Sequence, residues 1–423
     1  MSQRRKQQLW YILADLISSE LVWLCFLAFR WMVYESRMEL MEDILIPAFS
    51  FRVPLIVYPI FCLVIYYLSG YYLRPFQKPL WREFLRTLGS AAFISLFFFF
   101  IIIIDDEVES YNRYLISLGM LFGLQFVLSY IPRLTITLLS RSRGVMRSVT
   151  IHSPEEAATL RKGEQEEVII DIPEMDDSRT LYRLIAQLYP LSCEISIVPK
   201  VYDIFVGAAR IGRLDGPSLI RVTELHMSDA ELCIKRAFDV TASLLGIVVL
   251  SPLLAVIALV VKCSSKGAVF YTQQRIGQYG IPFKIYKFRT MIDHAEEEGK
   301  PQLTQDDDPR ITPVGRWLRK YRLDELPQLV NILRGEMSVV GPRPERPYYV
   351  EQIMREAPYY CLQYKVRPGL TSWGPIRVGY TDTMEKMIER LNCDLVYIEN
   401  MSLLLDIKIL FFTVGVILLG KGK

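Results

Sequence analysis

Leu244-Leu245-Gly246-Ile247-Val248-Val249-Leu250-Ser251-Pro252-Leu253-Leu254-Ala255-Val256-Ile257-Ala258-Leu259-Val260-Val261 decides how this chain meets a membrane. The run is close to the roughly 20 residues that cross a bilayer as a helix. Two features oppose a simple crossing. Lys235 and Arg236 precede the run and Lys262 and Lys266 follow it, and basic residues gather on the cytoplasmic side of membrane proteins. At its centre stands Ser251-Pro252; proline lacks the backbone N–H and crowds the preceding turn, so it breaks or bends a helix. A re-entrant helix over about 236–262, dipping in and returning to the same face, satisfies both features. Lys235 and Arg236 then serve as membrane-interface anchors. A kinked helix that crosses fully is the alternative.

Four more apolar stretches lie upstream, at Leu9–Val33, Pro47–Gly70, Thr87–Ile104 and Tyr114–Leu139. The loops between them alternate in charge. Arg4, Arg5 and Lys6 precede the first span, and Glu35, Glu39, Glu42 and Asp43 follow it. Arg74, Lys78, Arg82 and Arg86 fill the second loop, Asp105, Asp106, Glu107 and Glu109 the third, and Arg141, Arg143 and Arg147 follow the fourth span. This pattern places both ends of a four-helix transmembrane bundle, residues 1–143, in the cytoplasm. Ionisable residues within the spans, Asp15, Glu20 and Arg30, are scattered rather than stacked on one face. A catalytic site among the membrane helices is therefore not expected. Leu403–Leu419 is apolar with Asp406 and Lys408 near its start, which suits a helix lying at the interface.

The chain has 423 residues, 51% of them apolar, which is too apolar for an ordinary soluble enzyme and long enough for two or three domains. Its 49 basic and 46 acidic residues nearly cancel, to a net charge of +3, so nucleic acid is not an expected partner. The seven cysteines contain no C-x-x-C pair, and His152, His226 and His294 lie far apart; neither a disulfide framework nor a zinc site is legible. Within residues 144–227, Val149-Thr150-Ile151, Val168-Ile169-Ile170 and Ile195-Ser196-Ile197-Val198 predict short strands, with helical pattern over Asp177–Leu188. This is a small α/β domain, Rossmann-like but incomplete. His152-Ser153-Pro154-Glu155-Glu156 stands where a dinucleotide site needs a glycine-rich turn, so the expected role is a spacer or oligomerisation domain.

Residues 228–423 carry the chemistry, on a mostly helical catalytic domain. In Arg322-Leu323-Asp324-Glu325-Leu326-Pro327-Gln328 and its continuation, Leu326, Leu329, Val330 and Leu333 recur at helical spacing. They predict an amphipathic helix over Glu325–Arg334, ended by Gly335. Asp324 then stands at the N-cap and Glu325 in the first turn, which taken alone is ordinary capping. The surrounding cations change its meaning. Lys287 and Arg289 flank Phe288 in a predicted strand, whose alternation sets both on one face. Arg310, Arg319, Lys320 and Arg322 lie upstream, and Arg343 is clamped between Pro342 and Pro344. Several cations around a carboxylate pair suit a substrate with two phosphates. One carboxylate can attack phosphorus while the second holds Mg²⁺ against the diphosphate.

From Lys235-Arg236-Ala237-Phe238-Asp239 onward the chain resembles the bacterial sugar transferases, the polyprenyl-phosphate sugar-1-phosphate transferases also called monotopic phosphoglycosyl transferases. The resemblance rests on Ser251-Pro252, Gln274-Arg275-Ile276-Gly277, Tyr286-Lys287-Phe288-Arg289-Thr290-Met291, Asp308-Pro309-Arg310, Leu323-Asp324-Glu325-Leu326-Pro327-Gln328, Gly341-Pro342-Arg343-Pro344-Glu345-Arg346, Val366-Arg367-Pro368-Gly369 and Ser402 with Asp406 and Lys408, in that order. The four spans and small α/β domain resemble the long-form members. The resemblance implies Asp324 as nucleophile, Glu325 as its Mg²⁺-binding partner, Ser251-Pro252 as the break in the re-entrant helix, and Lys287, Arg319 and Arg343 as phosphate-handling residues. It implies a nucleotide-sugar donor, usually a UDP-sugar, undecaprenyl phosphate as acceptor, and a place on the cytoplasmic face of the bacterial inner membrane. The product would begin an exopolysaccharide, capsule or O-antigen unit of lipopolysaccharide. A non-catalytic membrane scaffold is the alternative function. Which sugar is used, and whether the chain forms a homodimer, leave no mark in one sequence. One stretch departs from the family pattern: Ser372-Trp373-Gly374-Pro375-Ile376 stands where many members have Gly-Trp-Ala-Gln-Val.

Overall fold

The computed structural model describes residues 3–34, 48–73, 80–105, 111–142, 148–162, 165, 167–172, 178–198, 219–223, 225–292, 295, 308–379 and 383–418. Most of the expected charge alternation, in loops 35–47, 74–79, 106–110 and 143–147, lies outside these residues, as does His294. Two compact units emerge. One comprises residues 1–146 with 228–234, the other residues 147–227 with 235–423.

The first unit holds α1 (Gln3–Tyr34), α2 (Ala48–Leu68), α3 (Leu80–Asp105) and α4 (Tyr111–Ser142). Gln8–Phe29, Leu80–Ile101 and Tyr114–Leu139 are long and apolar enough to cross a membrane, and Leu55–Leu68 is the shorter apolar part of α2 that is described. Their outward faces are apolar, as with Trp10, Ile60, Phe100 and Ile131. Inside, the expected scatter of ionisable groups is overturned. Arg133 is fully buried and grips Asp15 with two parallel bonds, Nε to Oδ1 at 2.6 Å and Nη2 to Oδ2 at 2.8 Å. The rings of Tyr66 and Tyr71 lie 3.9 and 3.8 Å from its guanidinium. Glu83, also buried, accepts from the Tyr71 hydroxyl at 3.0 Å and the Thr137 hydroxyl at 3.1 Å. These groups come from different helices, so spacing along any one helix does not reveal them. In a medium without water each charge needs such a partner.

The second unit begins with a four-stranded sheet of β1 (Ser148–Ile151), β2 (Glu167–Ile170), β3 (Glu194–Ile197) and β4 (Ile220–Arg221) in that spatial order. The first three are parallel and β4 runs antiparallel to β3. Two helices connect the parallel strands, α5 (Pro154–Thr159) and α6 (Ser178–Leu188). At the end of β1 the Glu156 carboxylate accepts from the backbone N–H of His152 at 2.9 Å, so the chain's own anion fills that turn. The sheet shares one hydrophobic core with the catalytic segment. Ile151, Val168, Leu184 and Tyr189 pack with Ile353, Tyr360, Cys361 and Tyr364. Tyr189 and Tyr364 meet edge to face with ring centroids 5.9 Å apart.

A single helix, α7 (Asp229–Ser264), runs uninterrupted for 36 residues with Pro252 inside it. The helix does not end at Ser251-Pro252. From Lys235 to Ser264 one side of α7 lies along the catalytic segment. Ile247 packs with Ile285 and Leu329, and Ile257 and Val261 pack with Phe288 and Leu318. The other side leaves Leu245, Val248, Val249, Val256 and Leu259 exposed. Lys235 and Arg236, expected at the membrane interface, are corrected by their surroundings. Lys235 is buried and donates to Asp406 Oδ2 at 2.5 Å and to the Val340 carbonyl at 2.9 Å. Arg236 caps two helix-terminal carbonyls, of Ile332 at 2.8 Å and Leu333 at 3.1 Å. A free carbonyl at a helix end is a stronger draw than water for a guanidinium already held beside it.

Candidate active site

The site is assembled from one hairpin, one short helical segment and one proline-flanked loop. The hairpin pairs β5 (Phe270–Ile276) with β6 (Pro282–Phe288), and β6 buries Ile285 from one face and Phe288 from the other. Lys287, two residues on from Ile285 and largely buried, shares that residue's face, opposite Phe288. The segment that carries the carboxylates is a 3-10 turn over Leu323–Gln328, followed by α8 (Leu329–Arg334). This corrects the expected α-helix over Glu325–Arg334 and with it the N-cap placement of Asp324. Pro327 disfavours the α conformation at Leu326 before it, within what would be the first turn. The phase shift also changes the buried face: Leu329, Asn331 and Ile332 are buried while Val330 is exposed. Gly335 ends α8 in the left-handed region at φ 82°, as its position predicts.

Asn331 carries a role that the apolar pattern hid. Its amide accepts from the Tyr286 N–H at 3.1 Å and donates to the Lys284 carbonyl at 2.7 Å. One side chain thus stitches α8 to the free edge of β6, and so places Lys287 over the carboxylates. Lys287 Nζ donates to Glu325 Oε1 at 2.7 Å. Arg322 Nη1 and Arg343 Nη2 each lie 3.7 Å from the same oxygen. Three cations on Oε1 leave Glu325 Oε2 without a hydrogen bond among the described residues. Asp324 is buried, and its Oδ1 has no hydrogen-bond partner.

The electrostatics separate the two carboxylates. Burial and the neighbouring Glu325 charge push the Asp324 carboxyl up from its ordinary range, while Lys287, Arg322 and Arg319 pull it partway back. Burial works in the same direction on Glu325, but Lys287, Arg343 and Arg322 overwhelm it and hold that carboxyl far below the usual range. Lys287 is itself lowered by burial against the pull of Glu325. Two adjacent carboxylates pushed apart in this way can take different tasks.

Of the other expected phosphate-binding residues, Arg319 stays near the pair, with Nε donating to the Thr290 hydroxyl at 2.9 Å. Arg289 and Arg310 are taken up elsewhere. β6 ends at Phe288, so alternation does not extend to Arg289, whose guanidinium donates to the carbonyls of Ser265 and Lys266 at 2.7 and 2.9 Å. Arg310 closes on Asp308 within its own turn, Nη2 to Oδ2 at 2.6 Å. Arg289 fastens the chain just past the end of α7 and Arg310 its own turn, and neither meets Asp324. Arg322, one of the upstream cations around the carboxylate pair, does reach it, with Nη1 3.7 Å from Glu325 Oε1. Its backbone lies at φ 56°, ψ 21°, a conformation costing a non-glycine residue about 1 kcal/mol or more. Only the folded chain shows that this strain aims it at Glu325.

Residues 230–420 match the model of the family described as bacterial sugar transferase. The exopolysaccharide production protein ExoY of Sinorhizobium fredii is 41% identical over 203 residues, covering 45% of this chain and 87% of the relative. A UDP-glucose:undecaprenyl-phosphate glucose-1-phosphate transferase of Caulobacter vibrioides is 44% identical over 184 residues, 43% of this chain and 68% of the relative. The chain belongs to the bacterial sugar transferase family. A protein of the same name from Escherichia coli is 40% identical over 243 residues, 57% of this chain. The chain spans about half the length of that relative, 52%. The family match takes in α7, both carboxylates and every cation around them.

Proposed function

We propose that this family member transfers a sugar-1-phosphate from a UDP-sugar to undecaprenyl phosphate through a covalent intermediate on Asp324. The observation that carries it is the buried, unpartnered Asp324 Oδ1 beside a second carboxylate that gathers Lys287, Arg322 and Arg343. A carboxylate oxygen stripped of hydrogen bonds is a stronger nucleophile than a solvated one. In the first half-reaction Asp324 forms a bond to the phosphorus next to the sugar. The bond from that phosphorus to the bridging oxygen breaks, and uridine monophosphate departs with the electron pair. In the second half an oxygen of the lipid phosphate bonds to the same phosphorus, and the Asp324 carboxylate leaves. Lys287, Arg322 and Arg343 neutralise the phosphate oxygens in both halves.

The donor set fits a hard divalent cation. Asp324 Oδ1 is a buried oxygen without a hydrogen-bond partner among the described residues, Glu325 keeps a second carboxylate oxygen beside the one its cations hold, and a Mg²⁺ ion prefers one or two carboxylates completed by substrate phosphates. Glu325 would hold the ion, which would supply charge neutralisation at the diphosphate.

Membrane insertion on one face fits the same chemistry. Both ends of α7 beyond Lys235 pack on the one catalytic core, and the Leu403–Leu418 helix, like α7, has exposed apolar residues, Phe411 and Phe412 among them. A helix crossing the bilayer would drag that core into lipid. An α7 that bends at Pro252 without breaking and returns to the same face would instead set Asp324 where a cytoplasmic sugar nucleotide meets a lipid phosphate. The relatives' names differ in the sugar, glucose for Escherichia coli and N-acetylgalactosamine for Aeromonas hydrophila. The deciding experiment incubates the purified chain with radiolabelled UDP-sugars, undecaprenyl phosphate and Mg²⁺. Lipid-linked product with release of uridine monophosphate supports the proposal; release of uridine diphosphate, or no product with any donor, overturns it.

A further inference from the structure

After α8 come α9 (Pro347–Glu356) and α10 (Trp373–Val378), and the guanidinium of Arg343 reaches Glu325 from a loop held at two points by the next helix, α11: once on its main chain and once on a side chain. α11 spans Met384–Glu399. Arg390 and Asp394 stand one turn apart on its inner side, both buried. Arg390 pairs with the Glu345 carboxylate, which also lies 3.5 Å from Arg275 Nη1. Asp394 Oδ2 accepts the backbone N–H of Arg343 at 3.2 Å. Its other oxygen, Oδ1, accepts from the Ser372 hydroxyl at 2.7 Å and from the Gly374 N–H at 2.8 Å. A Cβ at Gly374 would lie 2.5 Å from Arg390 Cγ and 2.9 Å from Asp394 Oδ1, so the turn closes on the carboxylate only with glycine there. Ser372 and Gly374 are two of the positions at which the chain departs from its family's pattern. Pro375 falls in the first turn of α10, where a missing N–H costs nothing.

We propose that Asp394 is a positioning residue for Arg343, anchored on one oxygen by Ser372 and Gly374 so that the other holds the Arg343 main chain with its guanidinium aimed at the donor phosphates. Long arginine side chains have many rotamers; pinning the backbone at 343, with the Glu345 side chain held as well, removes the freedom at the root of the side chain. Pro342 and Pro344 restrict the two neighbouring residues but leave the orientation of the loop as a whole to these contacts. The inference rests on Arg343 being a phosphate-binding residue.

The test is a binding cycle on the full chain in detergent with Mg²⁺, using UDP as probe and isothermal titration calorimetry. Asp394→Asn presents only one oxygen: kept on the Ser372 side, it turns an NH2 against the Arg343 N–H. We expect this variant to bind UDP about tenfold more weakly, as for loss of one well-aimed charged contact. Arg343→Ala should weaken binding by a similar factor, and the double variant should be no weaker than Arg343→Ala alone. A merely structural Asp394 would lower the melting temperature and add its full effect in the double variant, and that result overturns the proposal. So does wild-type binding by Asp394→Asn. If Asp394→Asn does not fold, Ser372→Ala enters the same cycle, with about threefold weakening expected and none once Arg343 is gone; an additive effect there is equally fatal. Wild-type binding by Arg343→Ala would instead bring down the phosphate-binding reading of Arg343, and this inference with it.

Discussion

At the residue scale the site turns on two neighbours of the same chemical kind with opposite environments. Asp324 has a buried oxygen without a partner, and Glu325 has three cations on a single oxygen. Replacing Asp324 by Asn should abolish product and leave no phospho-sugar on the protein by intact mass, while the folded chain still binds UDP. Near-normal turnover would return Asp324 to a purely structural role. The pH dependence follows from the sign of its shift. Burial and Glu325 raise the Asp324 carboxyl, and the nucleophile must be ionised, so activity falls as pH drops through a value above the ordinary carboxylate range of about 4. Lys287 opposes that shift. Lys287→Met should therefore move the acid limb of the residual kcat/KM profile to higher pH; a move to lower pH, or none, would show that Lys287 does not act on the nucleophile.

At the scale of elements, the carboxylate segment and the hairpin are held in register by Asn331. Asn331→Leu would strand the Tyr286 N–H and the Lys284 carbonyl. An unsatisfied buried polar group costs about 1–3 kcal/mol, so a fall in melting temperature is expected together with a loss of activity larger than stability alone explains. Activity at the wild-type level in the folded variant would show that Lys287 needs no such alignment. The close crossing of the two loops around Gly341 and Gly369 works similarly. A Cβ on Gly369 would lie 2.2 Å from the Gly341 nitrogen, leaving no route to relief except separating the loop that carries Arg343. The amphipathic pattern around Asp324 was legible as helical in kind but not in type or phase. Pro327 sits within a six-residue 3-10 turn, and Asn331 is buried because it bonds a strand edge, which no periodicity encodes.

At the scale of the whole molecule, the first unit contains a polar centre built from four helices. Truncating Arg133 to Ala would leave Asp15 buried without its counter-charge, held by the Tyr72 hydroxyl; breaking a buried pair in this way costs about 3–5 kcal/mol in soluble proteins. The detergent-solubilised variant should unfold at a markedly lower temperature than the wild type, and unchanged unfolding would deny the pair any part in holding the bundle. Topology is tested separately. With the seven native cysteines removed, single cysteines at Glu231 and at the exposed Lys284 should both resist an impermeant reagent in intact cells and react once the membrane is opened. Labelling of the Lys284 site alone from outside would show that α7 crosses.

The apolar spans, the dense order of motifs and the carboxylate pair among cations were all set by the sequence itself, because composition, periodicity and short spacing depend only on near neighbours. What only the tertiary structure decided is which of those groups meet. Lys287 and Glu325 are 38 residues apart, Arg343 and Asp394 51 apart, Asp15 and Arg133 118 apart. Arg289 and Arg310 resemble the others in sequence yet point away, since a cation goes to whichever carbonyl or carboxylate the packing brings within reach. That choice is made by how α7, the hairpin and the carboxylate turn close on one another, and no single stretch of the chain contains it.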